Sequence, residues 1–448
     1  MPQSAASGYV ALVVLVCFAS TLAAAQDAQM PPSLPPSEGG VIGLPAVVVT
    51  ASPAPPIPPF DIETQPTGQT VTTIPGTQFQ DQPAFSIGDI LRQSPGISIK
   101  QGNGPRDVGI SIRGSNARNG FGIRNIQVFE DGFPVTQPDG LSRTDLTDPH
   151  AYSAIDVFRG PSSAMFGNYA TGGAINFHTR PGGAIRGADV GSDTGTFGYF
   201  NEYTQIGDIG ESYQYSLFAS HVRGNGFQPN SSFTTTTGNV LASYSPTSND
   251  RFTSKVIDNY IGTALPIRLS FNQYNTNPFQ MGCVTATSRS GCASVPLFAN
   301  GVSGPMVAQT ATQAGLGRSD QRTILGLRWD HSIDVDTVWQ TQYVYDNKDI
   351  NQPTGATSAV GDQPASNLMT GITQRGWLFG LPATHFAQAF FDYVHLSNDT
   401  YNVAPGGGAR LGALASYIIT TVINQGWAAG SAKRFISRRC GPRSQRSG

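Results

Sequence analysis

Two stretches in the second half of the chain alternate in a way that few folds accept. In residues 211–223 (ESYQYSLFASHVR), Tyr213, Tyr215, Leu217 and Ala219 fall on one face of an extended strand. Ser212, Gln214, Ser216 and Ser220 fall on the other, with Phe218 as the exception. In residues 337–345 (TVWQTQYVY), Trp339, Thr341, Tyr343 and Tyr345 stand opposite Gln340 and Gln342. Successive strand side chains point to opposite faces, so each stretch has one apolar and one polar side. Apolar-out, polar-in alternation with aromatic residues near the strand ends is what a lipid-facing barrel strand requires. A soluble β-sandwich also alternates, but the polar loop over residues 262–320 is too long for a compact domain.

Composition agrees with a barrel. Charged residues make up 12% of the 448 positions, and glycine occurs 52 times. An average soluble domain carries about a quarter charged residues. Outside the extreme N-terminus no run approaches the roughly 18 apolar residues of a spanning helix. A net charge of −2 removes nucleic acid as a partner.

The N-terminus reads as an export signal over residues 1–25. Residues 9–19 (YVALVVLVCFA) form a short apolar core, and Ala23, Ala24 and Ala25 offer a small-residue cleavage site before Gln26. No Lys or Arg precedes the core, so a hydrophobic strand or a misassigned start is the alternative. Residues 26–69 are a proline-dense linker that is expected to be extended. Within it, residues 46–51 (AVVVTA) form a β-branched run.

Residues 70–182 read as a small α+β domain. Ser86 and Asp89 make a capping box for a short helix from 87 to about 94, stopped by Pro95 and Gly96. Strand signals follow at 108–113, at 126–129 before the turn Asp131-Gly132, and at 155–158. Residues 155–182 (IDVFRGPSSAMFGNYATGGAINFHTRPG) then join two strands through a glycine-rich turn. In order, DILRQSPGI, ISIRG, RNIQVFEDGFP and RGPSSAMFGNYATGGAIN closely resemble the plug domain of TonB-dependent outer-membrane receptors. The ordered set covers roughly 110 residues, which gives it a weight that a lone R-G-P lacks.

The resemblance implies the N-terminal part of a large all-β membrane barrel, residues 183–427, around the α+β plug. It places the protein in the outer membrane of a Gram-negative bacterium, in contact with lipid. The implied function is energised uptake of a scarce solute, a ferric siderophore or another small-molecule metal chelate, with cobalamin or a saccharide as alternatives. Residues Ala46, Val47, Val48, Val49, Thr50 and Ala51 look like the TonB box, the segment captured by the periplasmic TonB protein through strand addition. A first strand of the plug is the other reading. By motif, Arg113 and Arg159 would hold the plug to acidic residues of the barrel wall, or else make ion pairs within the plug. The apical plug loops at 101–107, 115–121 and 134–143 would meet the ligand. They carry Arg106, Arg118, Asn119, Gln137 and Arg143, a donor set suited to an anion.

Cys283 and Cys292 lie in the long loop and read as a disulfide, since no His or acidic residue between them supports a metal site. No catalytic motif, cofactor signature or metal-ligand spacing appears, so no enzyme, cofactor or metal is expected. Roughly ten to twelve strand signals follow residue 183, fewer than the 22 strands of the largest plugged barrels. Residues 428–448 form a basic tail without alternation, which reads as a frameshift or truncation. A non-transporting remnant is therefore the second function class. Half a barrel would leave two unpaired strand edges in lipid.

Overall fold

The computed structural model describes residues 70–433, with breaks at 81, 83, 103, 105, 117–121, 168, 268, 270, 281–292, 300–301, 314, 354–356 and 403–413. The expected TonB box, Arg118, Asn119, Cys283 and Cys292 lie outside the described residues.

The N-terminal domain is built from seven strands. They are β1 (Thr70–Pro75), β2 (Ile97–Gln101), β3 (Val108–Ile112), β4 (Ile126–Glu130), β5 (Phe133–Pro134), β6 (Tyr152–Arg159) and β7 (Gly173–Thr179). Five form one sheet in the order β1-β6-β7-β4-β5, with β4 parallel to β7, and β2 and β3 pair separately. The helix α1 (Ile87–Leu91) starts where Ser86 and Asp89 form their capping box: the Ser86 N–H donates to Asp89 Oδ2 at 3.1 Å. It ends three residues before the expected stop, because backbone bonds from Gln93 and Ser94 to Ile90 and Leu91 tighten the last turn.

The remainder is the antiparallel wall of a partial barrel. Its strands are β8 (Gly187–Thr194), β9 (Phe200–Ile209), β10 (Tyr213–Gly224), β11 (Phe233–Tyr244) and β12 (Asp250–Ala264). A separate hairpin, β13 (Ala293–Ala299) and β14 (Val302–Gln309), interrupts the series. The wall resumes with β15 (Gly317–Ser332), β16 (Thr337–Pro353), β17 (Thr357–Asp362), β18 (Ala365–Leu378), β19 (Leu381–Asn402) and β20 (Leu414–Lys433). Eleven strands make one sheet, with β17 and β18 sharing one crossing between β16 and β19, and with β8 and β20 outermost. Pairing of β19 with β20 continues through Ala383 and Lys433, past the break expected at residue 428. Backbone pairing needs no side-chain alternation, which explains why sequence pattern missed it.

The alternation seen in the sequence is realised. Tyr213, Leu217, Trp339 and Tyr343 are exposed on the outer surface, while Ser216, Ser220, Gln340 and Gln342 are buried within. Phe218, the exception, is buried against the plug. With Ile257, Ile324 and Val344 from the wall it joins one hydrophobic cluster with plug residues such as Phe133, Tyr152, Ile155 and Phe177. The core of the molecule is therefore the plug's own interior, extended to the wall by these four residues.

Candidate functional site

The tight turn between β4 and β5 organises the first contact. Asp131 and Gly132 both have positive φ, 52° and 80°, as the two central residues of a type I′ hairpin turn require. The Asp-Gly pair seen in the sequence fits that need. The turn brings Glu130 and Asp131 to Lys255 of β12. Lys255 is fully buried, and its Nζ lies 3.0 Å from Glu130 Oε2, 2.7 Å from Asp131 Oδ2 and 2.8 Å from Thr179 Oγ1. An ammonium has three protons to donate, and here three oxygens accept them. Around it, Asn239 Nδ2 donates to Glu130 Oε2 at 2.8 Å, the Tyr152 hydroxyl donates to Glu130 Oε1, and Asp131 also accepts from the Thr179 N–H at 2.8 Å. Burial alone would raise the Asp131 pKa, but Lys255 and the hydrogen bonds outweigh it and hold the carboxyl below the usual range. Burial, then Glu130, pushes the Tyr152 hydroxyl well above its ordinary value.

A second ionic contact is made by β15. Arg318 donates to Asp145 of the plug and to Asp320 beside it on the strand. Arg322 donates to the Val135 carbonyl and grips Asp346 with two bonds. Arg328 donates to the Asp131 carbonyl at 2.9 Å, with its guanidinium 4.9 Å from the centre of the Phe133 ring. Burial opposes ionisation of Asp145, yet Arg318 and then Arg143 lower its pKa.

These contacts reverse the expected polarity. The sequence reading has plug arginines meeting wall acids; here wall cations meet plug acids. Arg159 is instead satisfied within the plug, donating to the Pro95 carbonyl at 2.8 Å, to Thr72 Oγ1 at 2.6 Å and to Ser94 Oγ. Arg113 is exposed, with φ 48°. Among the described residues neither meets a wall carboxylate.

The ligand-facing arginines are corrected too. Arg106 is buried, 3.3 Å from Asp148, and Arg143 donates to Asp107 Oδ2 at 2.6 Å. Both guanidinium groups are paired with buried carboxylates within the protein. Asp148 shows the same coupling: burial is outweighed by Arg106 and His150, and its pKa falls.

Gln137 behaves differently. It is buried and lines a cavity of about 80 Å³ between the plug and strands β15, β16, β18 and β19. Plug residues reach the wall on this side through neutral bonds. Gln342 Nε2 donates to the Gly132 carbonyl at 3.4 Å, and Gln388 Nε2 donates to the Met165 carbonyl at 3.0 Å. Met165 belongs to the short helix α2 (Ser163–Phe166). Among the described residues no group of three or more His, Cys, Asp or Glu is placed to hold a metal ion. No helix among them is long and apolar enough to cross a membrane.

Known proteins match this architecture. Residues 63–174 match the family model of the TonB-dependent receptor plug domain. The unliganded ferric citrate transporter FecA has the same fold over 81% of this chain and 53% of its own, with TM-score 0.60 and 18% identity. Residues 63–174 are a plug domain of the TonB-dependent receptor family. A Bordetella pertussis protein described as "Probable TonB-dependent receptor BfrD" is 34% identical over 125 residues, 28% of this chain and 15% of that protein. The ferrienterobactin receptor of Escherichia coli is 28% identical over 130 residues, 25% of this chain and 16% of that receptor. The chain thus spans about half the length of this solved relative, and its alignable stretch spans about a sixth of the curated ones.

Sequence reasoning missed Lys255, Arg318, Glu130 and Asp145. The signal was present for the two cations: each stands at a lumen-facing position of an alternating strand, where a charge needs a partner from the plug.

Proposed function

We propose that the chain serves as an outer-membrane receptor of a Gram-negative bacterium for TonB-energised uptake of a scarce solute, a metal chelate. The observation that carries this reading is the plug seated against the wall through Lys255. A plug held in this way blocks the lumen at rest and can be displaced by force on its N-terminal side. Residues 46–51 on their proline-rich tether are the point at which TonB would act, by adding its own strand to an extended β-prone segment. Similarity to the ferrienterobactin receptor and to a hemin receptor of Yersinia pestis supports iron chelates as the cargo. Neutralisation of Arg106 and Arg143 argues against selection of an anion by these loops.

The test is Val48→Pro. Proline removes a backbone donor from the added strand, so uptake of radiolabelled ferric chelate by cells should fall to background while surface binding of the same chelate persists. Uptake that survives the change would remove residues 46–51 as the TonB contact.

A further inference from the structure

The cavity between the plug and strands β15, β16, β18 and β19 differs in chemistry from the rest of the plug–wall contact. Amides dominate its polar lining: Gln127 and Gln137 from the plug, and Gln340, Gln342, Asn367 and Gln388 from the wall. Its apolar surface comes from Phe129, Phe166, Phe390, Met165 and Met369. The two charged residues that line it are of opposite sign and already engaged: Arg328 lies 3.4 Å from Asp330 and donates to the Asp131 carbonyl, and Asp392 accepts from Asn367. Three amide atoms on lining residues are themselves shut off from solvent and have no protein partner. These are Gln127 Oε1, Gln137 Nε2 and Gln342 Oε1, on residues 8%, 2% and 1% exposed.

A buried amide atom without a partner is costly, by about 1–3 kcal/mol. Turned about their side-chain bonds, these amides can present those atoms to an occupant of the cavity. At about 80 Å³ it has room for roughly six waters or one small polar group. Amides offer both donors and acceptors but no full charge, so they match hydroxyl, carbonyl and amide groups better than an ion, whose desolvation they offset only in part.

We propose that this cavity is a polar subsite on the solute's route between plug and wall, selective for uncharged hydrogen-bonding groups. The cargo is then a neutral chelate with amide or hydroxyl groups on its surface, rather than a polyanionic one. This rests on the receptor reading above, but its test needs neither TonB nor uptake, so the two fail separately.

The experiment uses the full chain with Cys17, Cys283, Cys292 and Cys440 replaced by serine. Single cysteines are introduced by Gln342→Cys and, as an independent probe of the same space, Met369→Cys. Ser248→Cys, in the exposed turn before β12, is the open control. Ser220→Cys, buried and lumen-facing on β10, is the closed control. Each is reacted with neutral methyl methanethiosulfonate and with the anionic sulfonatoethyl methanethiosulfonate. Both cavity thiols should react with the neutral reagent well above the Ser220→Cys rate. Their neutral-to-anionic rate ratio should exceed that of Ser248→Cys by about tenfold or more. Cavity thiols as silent as Ser220→Cys would overturn the subsite. A ratio equal to that of Ser248→Cys would overturn its selectivity for uncharged groups.

Discussion

The plug meets the wall in two chemically different ways. Along β10, β12 and β15 the contact is ionic and apolar: Lys255 and Arg318 face plug carboxylates, and Phe218, Ile257 and Ile324 fill the space between. Along β16, β18 and β19 it is made by amides across a cavity. The difference is one of consequence. A buried ion pair adds little net stability when intact but is severely destabilising when one partner is lost. A neutral amide bond is worth about 0.5–1.5 kcal/mol and is readily exchanged for water. One side is therefore built to hold, the other to part.

The largest effect should come from Lys255→Met. It leaves Glu130 and Asp131 buried without a cation and should cost about 3–5 kcal/mol, read as a lower urea midpoint for protease cleavage within the plug. Phe218→Ala should cost about 3 kcal/mol by the same measurement, because the plug cannot collapse into the space left behind. Acidification should have a smaller, graded effect. Asp131, Asp145 and Asp148 titrate lower when folded than when unfolded. Their stabilisation is complete above the unfolded value of about 3.9 and is lost as pH falls below it. Protease resistance of the plug should hold at pH 5 and decline only below about pH 4. The smallest effect should be that of Gln342→Leu, under about 1 kcal/mol in either direction. A loss as large as that of Lys255→Met would erase the distinction between the two sides.

Much of this architecture was legible in the sequence. The capping box at Ser86 and Asp89, the Asp131-Gly132 turn and the outward faces of β10 and β16 are local patterns, and each formed where expected. The site was legible only in part. Arg106 and Arg143 look like ligand donors in a glycine-rich loop, but Asp148 and Asp107, distant in sequence, bury and neutralise them. Arg159 sits in a motif that implies a wall partner, yet its donors are taken by Pro95, Thr72 and Ser94. Lys255 is one residue in a strand, and only the fold shows that its partners lie 124 and 125 positions earlier. Local patterns report the strand; long-range pairing decides which charges remain available.

Hydrogen exchange of the unmodified protein tests the two-sided plug most directly. The amides of Met165, Phe166 and Gly167, held by the single turn of α2 beside the cavity, should exchange at least about tenfold faster than those of β4, which ends at the Lys255 contact. Equal protection of the two segments, or faster exchange in β4, would contradict a plug that is locked on one side and loose on the other.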